Sequence, residues 1–159
     1  MSLPSLPSLP ATLTPALSGR DAIADAIYRC VESFDRCDVD LCKSAFTSDA
    51  IFDLNGNAME GIQAIIDQCF ASVSKMDTTH HITGIRINIL DDSKAQATCS
   101  ALAQHFTSGE GLKGDGVPIL VGSVYWIDFT KDSEDGLWKI KKLILKSHWA
   151  QGDWGVFSK

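Results

Sequence analysis

The apolar residues of this 159-residue chain change their period once, near residue 80. Before that point, apart from a short strand over 50–54, they recur every three or four residues, as on one face of a helix. After it they alternate, as in strands that are buried on one side. Helices followed by strands predict an α+β fold, with the helices packed on one face of a strongly bent antiparallel sheet. Such a sheet forms a cone-shaped barrel with an open pocket, and pockets of this kind bind small ligands.

The predicted organisation is one domain preceded by an arm. The first residues, MSLPSLPSLPATLTP, repeat Ser-Leu-Pro three times. Proline disfavours both a helix interior and a central strand. We therefore expect a flexible, proline-rich arm over residues 1–17 and a folded domain over residues 18–159. The arm is a poor match to a signal peptide, because it has no basic segment and prolines interrupt its apolar residues.

Composition and charge argue against several partners. The net charge is −6 and the pI is near 5.0, and no stretch is basic enough to follow a phosphate backbone, so nucleic acid is not expected. No apolar run approaches the roughly 18 residues that cross a membrane. Five cysteines without a CxxC pair indicate reduced thiols in a cytoplasmic protein. Cys37 or Cys42 as a nucleophile has no support, because no histidine is close in sequence.

The first helix is predicted to begin at Ser18, which can cap it. Its apolar stripe consists of Ile23, Ile27, Val31 and Phe34. Asp35 lies four residues after Val31 and continues this stripe, so its carboxylate is predicted to point to the interior. An acid at a fraying helix end is the alternative.

The other predicted elements follow from the same patterns. They are a helix over 38–46 capped by Asp38, a strand over 50–54, a helix over 61–73, and strands over 81–90, 94–106, 117–130 and 137–149. Residues 107–116 contain four glycines and form a loop. Trp149 and the tail residues Trp154 and Phe157 are predicted either to fold over the pocket or to pack in the core or against another subunit.

Strand alternation separates the neighbouring residues His80 and His81. The odd positions of the first long strand form its apolar face: His81, Thr83, Ile85, Ile87 and Ile89. This face is predicted to turn inward, so His81 points to the interior and His80 to solvent. The next strand has small side chains on its inner face, and that row ends at His105.

The turn over residues 91–93 sets the register between these two strands. A three-residue loop pairs Ile89 with Ala95 and keeps both apolar faces on one side. His81 and His105 are then diagonal neighbours, within reach of one substrate. A bulge would shift this register.

A metal site is not expected. His80 and His81 point to opposite faces and cannot ligate one ion. Asp35, His81 and His105 have donor atoms that suit zinc or iron, but their spacing matches no metal-binding pattern. A core histidine held by a backbone group or a hydroxyl is the alternative for each inward histidine. Two histidines on one face, with an inward carboxylate, strengthen the case for a catalytic site.

Four segments together resemble the SnoaL-like family of the nuclear-transport-factor-like superfamily. They are VESFDRCDVDL (31–41), FTSDAIFD (46–53), HITG (81–84) and GLWKI (136–140). The resemblance covers about residues 18–154 and agrees with the cone-shaped fold. We also expect a homodimer or homotrimer formed through the sheet. The resemblance leaves the activity open, because the superfamily includes polyketide cyclases, dehydratases, isomerases, epoxide hydrolases and non-catalytic dioxygenase subunits.

Within this superfamily, the residues of this chain resemble the catalytic residues of scytalone dehydratase in type and order. The resemblance assigns catalytic roles to Asp35, His81 and His105. Phe34 and Leu54 stand where that pattern has tyrosines, and Ser123 stands near the position of its asparagine. The predicted substrate-binding residues are Phe34, Leu54, Ser123, Tyr125 and Trp149.

These observations predict a lyase or isomerase without a cofactor. Its substrate would be a small hydrophobic carbonyl or phenolic intermediate of polyketide or terpenoid metabolism. Asp35 would orient His105 as the general base, and His81 would either donate a hydrogen bond to the enolate oxygen or protonate a leaving hydroxyl. The alternative is a non-catalytic binding or scaffold subunit of the same fold. An epoxide hydrolase matches less well, because Arg29, Arg36 and Arg86 lie off the apolar faces.

Overall fold

The computed structural model describes residues 6–158, so the first five residues of the predicted arm and Lys159 lie outside the described residues. The helices are α1 (Gly19–Arg36), α2 (Val39–Ala45), α3 (Ile62–Ile65) and α4 (Ala71–Val73), with a π-helical turn over Ile66–Phe70 and a 3₁₀ helix over Trp154–Ser158. The strands are β1 (Phe46–Leu54), β2 (Asn57–Glu60), β3 (Asp77–Ile89), β4 (Lys94–Phe106), β5 (Ile119–Lys131) and β6 (Trp138–Gly152).

The helix ends follow local chemistry. Asp38 caps α2 as predicted, because its carboxylate accepts the backbone N–H of Leu41 at 2.9 Å. Ser18 occupies the N-cap position of α1, but its side chain makes no capping hydrogen bond. Cys37 ends α1 in the left-handed conformation (φ +54°), and its N–H bonds back to the last turn.

The six strands form one curled sheet in the order β2-β1-β6-β5-β4-β3. The predicted α+β architecture is confirmed. The prediction of a fully antiparallel sheet is wrong at one position, because β1 runs parallel to β6 while the other neighbours are antiparallel, so the sheet is mixed. It is not closed, since β2 and β3 remain as its two edges. The strands β3 and β6 extend beyond the predicted limits, and β3 already begins at Asp77.

The core lies between α1 and the inner face of the sheet. Ile23 and Ile27 on α1 are fully buried. The inner face of β4 is buried and consists of small side chains, as predicted: Ala95, Ala97, Cys99, Ala101 and Ala103. Small side chains fill little of the space under a curved sheet, and a cavity remains beside α1.

A bulge in β3 changes which histidine points inward. Ile89 pairs with Ala95 as predicted, but the register shifts by one residue between Thr83 and Arg86. Gly84 lies in this interval with a φ of +63°, a left-handed conformation that glycine adopts without strain. Residues before the bulge therefore have the opposite phase from residues after it.

The arm and the outer face of the sheet complete the described structure. Residues 6–17 form no helix or strand, and residues 11–17 lie near the start of α1 and the turn before β6. Val124 and Trp126 are exposed on the outer face of β5, where the expected dimer or trimer contact stays a prediction. Within residues 6–158, no helix combines the length and the apolar character needed to cross a membrane.

Candidate active site

A cavity of about 260 Å³ lies between α1, the inner face of the sheet and the C-terminal 3₁₀ helix. Its walls are mostly apolar, with Phe34 from α1 and Leu143 from β6 among them. Polar side chains reach it in two places. One group includes His80 and His105, and the other includes Asn55, Ser123 and Ser147.

Asp35 at the end of α1 and His80 on β3 form a hydrogen-bonded pair. Asp35 Oδ1 lies 2.6 Å from His80 Nδ1, and Oδ2 accepts the backbone N–H of His80 at 2.9 Å. The side chain of Asp35 is 20% exposed and that of His80 is 11% exposed. An ionised carboxylate only accepts hydrogen bonds, so in the neutral ring the proton is on Nδ1 and the lone pair is on Nε2. The pair has the arrangement of an oriented general base.

His105 lies beside this pair and is 6% exposed. Its ring centroid is 5.3 Å from that of His80, edge to face, and its Nδ1 is 2.7 Å from Thr78 Oγ1. Burial, and to a smaller extent the charge that His80 can carry, lower the pKa of His105 to about 4, although Asp35 acts in the opposite direction. His105 is therefore neutral near pH 7.

The predicted inward orientation of His81 is wrong. His81 is exposed and pairs with Leu102, whereas His80 pairs with Ala103 and lines the cavity. The predicted contact between Asp35 and His105 is also replaced, since Asp35 binds His80. The cause is the one-residue bulge at Gly84. An isolated glycine inside a strand is the sequence signal that indicates such a bulge.

Four of the five predicted substrate-binding residues line the cavity: Phe34, Leu54, Ser123 and Tyr125. Trp149 does not. It is 51% exposed, and its indole lies so close to Gly122 that a Cβ there would be 2.2 Å from Trp149 Cε2. A glycine partner leaves room for the indole on the sheet surface.

The C-terminal 3₁₀ helix contributes two aromatic side chains that line the cavity, Trp154 and Phe157. The Phe157 ring lies 5.2 Å from the ring of His105. Val156 anchors this helix in a small cluster with Ile119 and Val121. The predicted packing of the tail over the pocket agrees with these contacts for Trp154 and Phe157.

Tyr125 and two cysteine thiols complete the lining of the cavity. Burial raises the pKa of Tyr125 well above its usual value, so its phenol is protonated near neutral pH. Cys30 and Cys69 also line the cavity, and burial raises the pKa of Cys69 to about 12. Both thiols are therefore protonated near neutral pH and behave as apolar wall. Within residues 6–158, no cluster of three or more His, Cys, Asp or Glu side chains could hold a metal ion.

Comparison with known proteins agrees with this fold. The family model described as SnoaL-like domain matches residues 15–144. Terrestric acid biosynthesis cluster protein E of Penicillium crustosum is 54% identical over 153 residues, which cover 96% of this chain and 98% of that protein.

Solved structures share the architecture. A hexachlorocyclohexane dehydrochlorinase (LinA, type 2) gives a TM-score of 0.71 at 22% identity, over 86% of this chain and 89% of that one. A scytalone dehydratase-like protein from Novosphingobium aromaticivorans gives 0.72 at 19% identity, over 84% and 87%. Fold and cavity thus define a cone-shaped α+β protein of the nuclear-transport-factor-like class. The chain belongs to the SnoaL-like family.

Proposed function

We propose that this protein is a lyase or isomerase of secondary metabolism that removes a proton next to a carbonyl group. The observation that carries the proposal is the Asp35–His80 pair at the wall of an apolar cavity. The relative of 54% identity is named for the biosynthesis cluster of terrestric acid, and two structural neighbours are named as a dehydrochlorinase and as scytalone dehydratase-like. These names support the reaction class and the metabolic setting.

In the proposed step, His80 is the general base. Nε2 takes a proton from the carbon next to the substrate carbonyl, and the electrons of that C–H bond move to the carbonyl oxygen. Asp35 stabilises the resulting imidazolium through Nδ1. The predicted role of His105 as base thus passes to His80, because His80 is the histidine that Asp35 orients.

His105 would stabilise the oxygen that becomes negative. It is neutral near pH 7, and Thr78 contacts its Nδ1. When the Thr78 hydroxyl donates to Nδ1, the ring proton is on Nε2 and can be donated to the substrate oxygen. A neutral donor is suitable here, since it does not repel the positive charge that forms on His80.

The enolate formed in this step can react in three ways. Loss of a β-hydroxyl with the proton from His80 gives dehydration, return of the proton to another carbon gives isomerisation, and attack on a second carbonyl gives cyclisation. Trp154 and Phe157 line the cavity beside the histidines and would limit the access of water. The apolar walls favour a small hydrophobic substrate.

Epoxide hydrolysis has less support from the cavity. Arg29 is buried, but its guanidinium binds Asp25 at 2.7 Å and the carbonyl of Trp138 at 2.7 Å. Among the described residues, no arginine lines the cavity. An arginine that positions a nucleophilic water is therefore not found beside Asp35.

His80 and His81 are neighbours in sequence but point to opposite faces of the sheet, so their alanine variants form a matched pair for an experiment. Deuterium exchange next to the carbonyl is measured by NMR for a panel of cyclic ketones, with wild type, His80→Ala and His81→Ala. We expect His80→Ala to lower the exchange rate by about 10²- to 10⁴-fold, the usual contribution of a general base, and His81→Ala to leave it unchanged. Equal rates in wild type and His80→Ala would contradict the assignment. Binding of ketones without exchange in wild type would favour a non-catalytic binding protein.

A further inference from the structure

We infer that the cavity contains a second polar subsite, formed by Ser147, Asn55 and Ser123, which binds a carbonyl oxygen at the end of the substrate remote from His80. The inference rests on the proposed function, because it names the substrate class for that site. Ser123 on β5 pairs with Ser147 on β6, and Asn55 follows β1. All three side chains line the cavity.

The turn after β1 fixes the amide of Asn55. Its Oδ1 accepts the backbone N–H of Ser147 at 2.8 Å, so its Nδ2 faces Ser147 Oγ and donates to it at 3.1 Å. The backbone N–H of Asn55 donates to the carbonyl of Leu145 at 2.9 Å. Asn55 has a φ of +54°, a conformation that asparagine tolerates better than most residues. Asn55 is therefore a positioning residue for the Ser147 hydroxyl.

The two serines leave one O–H group for a ligand. Ser147 Oγ already accepts from Asn55, and Ser123 Oγ lies 3.4 Å from it. Only one of the two hydroxyl hydrogens can lie between these oxygens. Because Ser123 donates to Ser147, the remaining hydrogen is that of the half-buried Ser147 hydroxyl, which has no protein acceptor among the described residues. A carbonyl oxygen in the cavity would satisfy this donor.

The subsite is separated from the histidines along the sheet. Ser123 pairs with Ala101 on β4, and His105 follows Ala101 by four residues, about 13 Å along an extended strand. Ala103 and Val121 line the cavity between them. The substrate class is thus an apolar molecule with two separated oxygen functions, one at the histidines and an acceptor at Ser147.

Two ketones with one carbon skeleton test this inference. 4-Cyclohexylcyclohexanone has one carbonyl, and 4,4′-bicyclohexanone has a second carbonyl at the far end. Their affinities are measured by calorimetry in wild type and in His80→Ala, which cannot perform the proposed proton transfer. We expect the diketone to bind about tenfold more tightly than the monoketone in both proteins, as one additional hydrogen bond allows. This preference exceeds the statistical factor of about two that arises because the diketone has two equivalent carbonyl groups.

Variants of the subsite complete the experiment. Ser147→Ala and Asn55→Gly should each reduce the preference to about twofold, the statistical factor. Glycine keeps the left-handed backbone at position 55. Ser100→Ala on the exposed face of β4 is the control and should keep the preference. A preference that is absent in wild type, or that survives Ser147→Ala, overturns the subsite and leaves the proposed function standing. If neither ketone binds, the proposed function fails, and the subsite fails with it.

Discussion

Asp35 binds His80 through both of its carboxylate oxygens, one on the ring Nδ1 at 2.6 Å and one on the backbone N–H at 2.9 Å. The two contacts link the last turn of α1 to the beginning of β3. They fix the ring orientation and the tautomer together, because the backbone contact positions the carboxylate that the ring then binds. A substitution of Asp35 by asparagine removes the charge of this side chain and keeps its shape, so the effect of the charge can be measured alone.

Asp35→Asn should lower kcat by about 10²- to 10⁴-fold while keeping the side-chain shape, because the amide cannot stabilise a positive charge on His80 as a carboxylate does. Steady-state kinetics on a ketone that wild type converts would measure the loss. Asp67→Asn is the matched control, since Asp67 is exposed on the π-helical turn and contacts Gln63. Similar kinetics for both variants would contradict the role of Asp35.

Gly84→Ala should destabilise the protein by about 1 kcal/mol, because alanine is strained at a φ of +63°. A Cβ at Gly84 would meet no atom within 4 Å, so the cost is conformational and not steric. Gly109→Ala is a control with similar strain (φ +79°) and equally open surroundings in a loop. Urea unfolding should show similar losses of stability for both. Activity should fall only for Gly84→Ala, whose strain acts on the bulge that turns His80 inward.

His105 should make the stability depend on pH below neutrality. Its pKa is about 4 in the folded protein and about 6.5 in the unfolded chain, so the unfolded chain binds this proton first. The free energy of unfolding should therefore fall between about pH 6.5 and pH 4, by about 3 kcal/mol for this group, and this contribution should level off below pH 4. His105→Gln removes it. Urea unfolding of both proteins at several pH values would show the difference, and parallel curves would contradict the prediction.

Phe157→Ala should raise the pKa of His105 toward its ordinary value. The Phe157 ring lies 5.2 Å from the His105 ring, and burial is the main cause of the low pKa. Removal of the ring admits water and stabilises the charged imidazole. A histidine NMR titration measures the shift. Trp149→Ala is the control, because Trp149 does not line the cavity, and its titration curve should match that of wild type.

Cys37 should be the thiol that reacts rapidly with a disulfide reagent in the folded protein. It is exposed, whereas Cys30, Cys42, Cys69 and Cys99 are buried. Burial also raises the pKa of Cys42 to about 11, which keeps its thiol protonated. At pH 8, one thiol should react quickly and the other four only on unfolding. Cys37→Ser should remove the fast phase and Cys69→Ser should keep it; more than one fast thiol in wild type would contradict the burial.

The predicted register was correct on one side of Gly84 and wrong on the other. Ile89 pairs with Ala95 because the short turn between β3 and β4 determines this pairing locally. Beyond the bulge each side chain of β3 changes face, so the alternation that correctly placed Ile85 and Ile87 misplaced His81. The inward position of His105 was predicted correctly, because β4 pairs with β5 without a register shift.

The sequence by itself determined the fold class and most of the elements, because helical and strand periods, the Asp38 cap and turn residues act over a few neighbours. It also placed Asp35 on the inner stripe of α1. It did not predict β2 or the C-terminal 3₁₀ helix. Only the tertiary structure decided which histidine Asp35 binds and that Asn55 and Ser147 meet in the cavity. Those contacts join residues that are 45 and 92 positions apart. Their geometry depends on the bulge and on how the sheet curls, which no local pattern specifies.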